Sequence, residues 1–283
     1  MLASLEGLDH VVVMVRDLDA AARNWGALGF TLSPRGTHSA HLGTGNYTIM
    51  FGDDYVELLG ILQETNLNAP SRAFLDRRGD GIERVAFTTG DAATGVAALQ
   101  ARGVRVTGPI EFSRPVDLPD GGHGEAAFSV FEWSPDDRPA DMRIFACQHH
   151  TRGTVWIPSL QAHANTATGI ARVELVAASP ADASAELARL VDGEAQRVDD
   201  GWRVATAPGR GEFVFLDREA FGARHPAARL DALPDEGVAA LVLRAKDLGA
   251  AADAVGEAAA VGAGALTVPA ERANGIMLVF EQD

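Results

Sequence analysis

Reading from the amino terminus, the first sustained apolar run is Leu8-Asp-His-Val-Val-Val-Met-Val-Arg-Asp17, short and rich in β-branched residues, which predicts a strand closed by Asp17. Directly after it, Leu18 to Leu28 is Ala-rich with apolar positions at helical spacing and ends at Gly29, which predicts an amphipathic helix. The same succession returns at Ile82-Glu-Arg-Val-Ala-Phe-Thr-Thr-Gly-Asp91, with a helix through Val96, Leu99 and Ala101 to Gly103. A third copy runs from Ile170 to Val176, with Ser179-Pro180 opening a helix over Ala181 to Leu190 and Gly193 behind it, since Ser and Pro suit a helix start and Gly its end. The fourth is Val238 to Asp247, followed by a helix across Leu248 to Ala258.

Short strand-like runs punctuated by Gly, Pro and Asp follow each helix, as hairpins require. They are Tyr47 to Phe51 and Tyr55 to Leu62, then Ala126 to Trp133 and Met142 to Cys147, in the first two copies. Trp202 to Ala205 and Glu212 to Leu216 follow in the third, Ala265 to Val268 and Ile276 to Glu281 in the fourth. Each copy is a βαβββ module, repeated about every 65 to 85 residues. One such half-open sheet cannot bury its concave face, so modules should pair around a cleft, giving an α+β fold. Four modules predict two domains: 1–165, with modules 6–63 and 80–150, and 166–283, joined by the aperiodic segment Thr151 to Thr168. The length of 283 residues fits two compact units.

A net charge of −15 argues against a nucleic-acid or anionic-membrane partner and for a small molecule or a protein. The run Val11 to Val15 is far shorter than the roughly 20 apolar residues of a membrane span. The single cysteine, Cys147, can form neither an internal disulfide nor a thiolate cluster, which fits a cytoplasmic protein. On its apolar strand it reads as a small hydrophobe, and Trp133 and Trp156 read as packing residues.

The module pattern, with Leu8-Asp-His10-Val-Val, Gly43-Thr-Gly-Asn46 and Tyr55-Val-Glu57-Leu-Leu, resembles the glyoxalase-like branch of the vicinal oxygen chelate superfamily, most strongly over residues 6 to 165. Its members include glyoxalase I, extradiol dioxygenases, epimerases and metal-free bleomycin-binding proteins. In metal-using members the ligands lie at one position on the first strand and one on the last strand of each paired module. The resemblance puts His10 and Glu57 at those positions in module one and Arg84 at the first-strand position of module two, where guanidinium cannot ligate. The last strand of module two reads Ile144-Phe-Ala-Cys147-Gln148-His149-His150, with its register open by one or two residues. If Cys147 and His149 face the cleft, His10, Glu57 and His149 form a two-histidine, one-carboxylate set suited to a divalent Fe, Mn, Ni or Zn ion.

Other readings of the same residues stand beside this one. Glu57 in an apolar strand needs a partner, either a metal or a salt bridge to Arg84 across the cleft. His10 reads equally as a hydrogen-bonded core histidine. His38 and His41 sit in a loop between Gly36 and Gly43, where substrate contact or solvent exposure suits them better than metal ligation. Gly43-Thr44-Gly45-Asn46 reads as a hairpin turn, with Asn46 a candidate substrate contact. Arg114 is a candidate anion anchor beside Arg84, or a solvated surface arginine. In the second half Arg172 and Ala240 replace the first-strand ligands, and Glu281 matches Glu57 by type alone, so that half reads as structural or homodimer-forming.

Two functions follow. One is a metal-dependent lyase, isomerase or dioxygenase that chelates a small oxygenated substrate, with Glu57 as ligand and base. The other is a metal-free protein that binds or sequesters a small molecule in the same cleft, without any cofactor.

Overall fold

The computed structural model describes residues 1–118, 121–262 and 264–283. Its first half contains strands β1 (Leu5–Val15), β2 (Gly36–Thr37), β3 (Thr44–Met50), β4 (Tyr55–Ile61), β5 (Gly81–Thr89), β6 (Val106–Asp117), β7 (His123–Trp133) and β8 (Arg143–His149), with helices α1 (Leu18–Ala27), α2 (Ala69–Arg78) and α3 (Ala92–Ala101). The second half contains β9 (Ala167–Val176), β10 (Ala195–Val198), β11 (Gly201–Val204), β12 (Glu212–Leu216), β13 (Gly237–Ala245), β14 (Ala260–Gly262), β15 (Ala265–Val268) and β16 (Met277–Gln282), with α4 (Pro180–Leu190), α5 (Arg218–Arg224) and α6 (Leu248–Val255). The fold is α+β.

Each half is one eight-stranded mixed sheet, ordered β2-β3-β4-β1-β5-β8-β7-β6 and β10-β11-β12-β9-β13-β16-β15-β14. The first strands of the two paired modules lie antiparallel at the centre, and each runs parallel to the last strand of its own module, β1 beside β4 and β5 beside β8. Asp17, Asp91 and Asp247 turn the first strands into helices by accepting backbone N–H groups of the first turn. Ser179 makes no such bond; its hydroxyl donates to Asp182, and Pro180 starts α4.

Alternation along the strands decides which face each residue serves. Val11, Val13 and Val15 pack with Val56, Leu58, Val85 and Phe87 beneath Trp25, Leu28 and Leu99, and the same core continues into the second half through Val173, Leu175, Phe213 and Phe280. Phe87 meets Phe213 at 5.8 Å between ring centroids, and Trp133 donates to the Leu190 carbonyl at 3.0 Å. The opposite face of the first sheet is the concave one. Phe74 and Leu75 of α2 cover Val12, Met14 and Leu59, while Val155, Trp156 and Leu160 cover Met50, Tyr55, Phe128 and Cys147.

Three departures from the sequence pattern bear on the site. Thr44-Gly45-Asn46 is not a turn: only Gly43, at φ +64°, bends the chain, and the next three residues open β3. Helix α2 has no apolar stripe, burying only Ser71, Phe74 and Leu75, so periodicity missed it; the short α5 was missed as well. Thr151 to Thr168 is not a bare connection, since its short 3₁₀ turns floor the first cleft.

The halves also share buried polar contacts. Arg78 donates to the Val238 carbonyl at 2.7 Å, and the Asp54 carboxyl accepts the Ile170 N–H at 3.0 Å. Burial pushes the Asp54 carboxyl up to about 7, against the pull of Arg244 and Arg210. The folded protein therefore binds a proton there that the unfolded chain has lost above its ordinary value of 3.8. Stability falls as pH rises through that window. Asp54→Asn is expected to remove this loss, gaining up to about 4 kcal/mol over the parent at pH 8 and almost nothing at pH 4, as read by urea unfolding at both.

Candidate functional site

The site begins with an irregularity in β1. Leu8 and Val11 both enter the core although three positions apart, which a period of two forbids. A shift in the β1–β5 register between Leu8 and His10 absorbs the difference, and Asp9 and His10 both become buried polar residues. His10 Nδ1 lies 2.6 Å from Asp9 Oδ1, His149 Nε2 lies 3.1 Å from the same oxygen, and the Thr88 hydroxyl donates to Oδ2 at 2.8 Å. Burial alone would raise the Asp9 pKa, but the hydrogen bonds from the two histidines outweigh it and hold the carboxyl far below its usual range. A carboxylate only accepts, so the His10 Nδ1 proton points at Asp9 and Nε2 is left for the cleft.

Nε2 of His10 lies 3.8 Å from Glu57 Oε2, and Glu57 Oε1 accepts from Asn46 Nδ2 at 2.6 Å. The His10 ring stacks on Tyr55 at 4.2 Å and meets Phe145 edge-on at 5.2 Å. A line of polar groups thus runs from Asn46 through Glu57 and His10 to Asp9 and Thr88, hydrogen-bonded except between Glu57 and His10, which stand 3.8 Å apart. It ends in the second half: Arg210 Nη2 donates to Thr88 Oγ1 at 2.9 Å, to the Leu8 carbonyl at 2.5 Å and to the Asp53 carbonyl at 2.9 Å. Gly7, at φ +114°, admits it, because a Cβ there would sit 2.5 Å from Arg210 Cγ.

The Glu57–Arg84 ion pair, one of the two partnerships open to Glu57 from the sequence, is not made. Arg84 Nη2 pairs with Glu83 at 2.9 Å and donates to the Ser71 hydroxyl, and Arg143 holds the other side of Glu83, also at 2.9 Å. The cause is a second register shift, where β5 meets Val12 and Val13, which brings Glu83 to the side of Arg84 as Asp9 is brought to His10. Arg84 Nε is buried without a hydrogen-bond partner.

His41 is exposed beside Ser39, outside the cleft. Its neighbour His38 takes the inward place, bonded to Thr44 at 2.8 Å. Burial holds its pKa below the ordinary value against the pull of Glu57, with Arg114 and Arg84 pressing it further down. Arg114, on β6, has no carboxylate within ion-pair distance among the described residues. Its guanidinium and the Asn46 amide press on Gly36, where a Cβ would lie 3.1 Å from Arg114 Nη1 and 2.1 Å from Asn46 Oδ1. Arg114, Gly36 and Thr48 line a cavity of about 200 Å³. Cys147 is a buried free thiol whose pKa burial raises well above its usual value. Trp156 packs edge-on against Tyr55 and His149 beneath the Arg152 guanidinium.

The strand registers settle which residues share a position. Glu57 lies beside Val12, two residues after His10, and Phe145 lies beside Ala86, two residues after Arg84. Phe145 therefore stands where Glu57 stands, and His149 is four residues further along β8. His149 is held by Asp9 and does not join Glu57, and no group of three or more His, Cys, Asp or Glu among the described residues is arranged to hold a metal ion. His10 Nε2 and Glu57 are two donors of the required kind, with Arg84 and Phe145 opposite them. That donor set does not fit a tetrahedral or octahedral ion.

In the second half the same registers put Val214 and Val279 at the Glu57 place, so Glu281 lies one inward position beyond it. Glu281 instead accepts both ends of the Arg172 guanidinium, at 2.5 and 2.7 Å. Arg172 and Arg224 also hold the buried Glu174, with His225 at 2.5 Å from its other oxygen, so this face is filled by its own ion pairs.

This architecture is that of the vicinal oxygen chelate superfamily. A family model described as glyoxalase-like domain matches residues 8–191, and the chain belongs to that family. The match crosses from the first sheet into the second. Among solved structures, a hypothetical protein from Staphylococcus aureus is similar at TM-score 0.71 and 14% identity, over 98% of this chain and 99% of that one. A mutant of 4-hydroxymandelate synthase from Streptomyces coelicolor is similar at TM-score 0.58 and 13% identity, over 99% and 93%. At these identities the likeness is one of fold. No curated protein matches the sequence.

Asp9 and Arg210 were not expected from the sequence, and their link is measurable. Arg210→Met is expected to cost about 1–3 kcal/mol, because it strips a charged donor from the Leu8 carbonyl in the core, the exposed Asp53 carbonyl and a hydroxyl. Thr88→Val should cost about 1–3 kcal/mol. A double-mutant cycle in urea should show a coupling above about 0.5 kcal/mol between them.

Proposed function

We propose that the concave face of the first half binds a small organic molecule without a resident metal ion. One observation carries this reading: Arg84 and Phe145 occupy the module-two positions opposite His10 and Glu57, replacing two donors by a cation and an apolar ring. The cleft then offers fixed cationic and hydrogen-bonding groups, Arg84, Arg114, His38 and Asn46, around a carboxylate–imidazole pair. His10 Nε2 and Glu57 stand side by side as the groups that could take a proton from, or give one to, a bound ligand, while Asp9 fixes the imidazole. Conversion of the ligand would be acid–base chemistry at these two groups.

A second reading is the metal-dependent lyase, isomerase or dioxygenase, with His10 and Glu57 as ligands to a divalent Fe, Mn, Ni or Zn ion and His149 moved in from Asp9. Its support is the Asp9 carboxylate behind His10, the partner that metal-bound histidines commonly have. Such an ion would act as a Lewis acid on the substrate's oxygens.

A net charge of −15 disfavours nucleic-acid partners, and no helix among the described residues is long and apolar enough to cross a membrane. A cytoplasmic location and a homodimer through the second half complete the proposal; light scattering at several concentrations tests the dimer.

Plasma mass spectrometry of tag-free protein separates the two readings. The metal-free reading expects well under one ion per chain and no change in His10→Ala, whereas a stoichiometric ion lost in that variant would overturn it. The register gives a positive control. Arg84→His combined with Phe145→Glu should create a four-donor set and take up Zn or Ni to near one ion per chain, which the parent does not.

A further inference from the structure

The cavity of about 200 Å³ lies between the β2–β3 side of the first sheet and β6. It is small beside the roughly 300–1,000 Å³ of sites for drug-sized ligands. Arg114 and Arg35 supply its positive charge. Arg35 is already paired with Asp19 at 3.0 Å, while Arg114 has no carboxylate within ion-pair distance among the described residues. Asp117, also in the lining, is taken by His123 at 2.9 Å and is 74% exposed. Pro34, Val116, Val155, Ile157 and Leu160 make its apolar side, and the hydroxyls of Ser33, Thr37 and Thr154 also line it. On the inner side is Thr48, which lies beside Glu57 in the β3–β4 ladder.

A half-buried guanidinium beside an apolar wall has lost part of its hydration without gaining a counter-charge, so the complement it lacks is a small anion. Its planar fork matches a carboxylate with two parallel hydrogen bonds. We infer that this cavity is the ligand's carboxylate subsite: the bound molecule is a small organic acid whose carboxylate pairs with Arg114. Its apolar body rests on Val155, Ile157 and Leu160, and its other end is turned past Thr48 toward Glu57 and His10. This rests on the metal-free binding reading and narrows it to one chemical class. Cavity size limits the acid to a few carbons or a single ring.

The test is calorimetry and ligand-observed NMR on the full chain after chelator treatment, with propionate, succinate and benzoate against propionamide, succinamide and benzamide. At least one acid should bind saturably and its amide at least about tenfold more weakly. Arg114→Gln should weaken the acid by a similar factor, Arg114→Lys should restore it in part, and Val116→Trp, which fills the cavity from the same strand, should abolish binding. Unfolding midpoints confirm that each variant is folded. Equal binding of an acid and its amide, acid binding unaffected by Arg114→Gln, or no saturation by any of the three acids overturns the carboxylate subsite and leaves metal-free binding of another class standing. Acid binding that appears only after a divalent ion is added overturns the metal-free reading itself.

Discussion

The burial of one ionised carboxylate organises the first half of this protein. Asp9 is out of contact with water, and a buried charge is tolerable only when donors surround it. Those donors come from β1, β5 and β8, through His10, Thr88 and His149, so three strands are fixed relative to one another by a single group. The arrangement also fixes chemistry. With Nδ1 committed to Asp9, the imidazole has one ring nitrogen left, and it faces Glu57.

The two central strands of the first sheet carry the same local deformation with different charges. In β1 it brings an acid beside a histidine; in β5 it brings an acid beside an arginine, with Arg143 as a further partner. The backbone irregularity is thus a reusable way to turn two adjacent polar residues inward, and the residues placed on it decide between a proton-holding pair and a fixed cation. The second half fills the corresponding face with Arg172, Glu174, Arg224, His225 and Glu281, which pair with one another. In the first half Arg114, without a carboxylate partner among the described residues, borders a cavity.

The first and last strands of every module, with α1, α3, α4 and α6, were legible because they follow from alternation and helical spacing, which are local properties; β2, β6, β10 and β14 were not read as strands, and the places of His10 and Glu57 came from the family resemblance. Asp9 had a signal that went unused: Asp9-His10 and Glu83-Arg84 each put two polar residues in succession into an apolar run, and a regular strand cannot turn both inward. His38 could not be told from His41 without knowing where the loop folds back on β3. The Glu57–Arg84 pair, one of the two readings of Glu57, is not made because a neighbour in sequence, Glu83, holds Arg84 instead. The place of His149 depended on a β5–β8 register that no residue pattern dictates, and Arg210 sits in a Gly- and Pro-rich loop with no periodicity to read.

Arg210 also sets an order of events during synthesis. A ribosome adding about 5–20 residues each second exposes Leu8, Asp53 and Thr88 many seconds before the arginine that satisfies them emerges. Through that interval the leading half carries unsatisfied carbonyls, and Phe87 and Trp133 lack the second-half neighbours Phe213 and Leu190 that cover them. For the same reason, cutting the gene between the two sheets would yield an incomplete leading fragment, because the trailing half carries the groups that complete the leading half's core and hydrogen bonds.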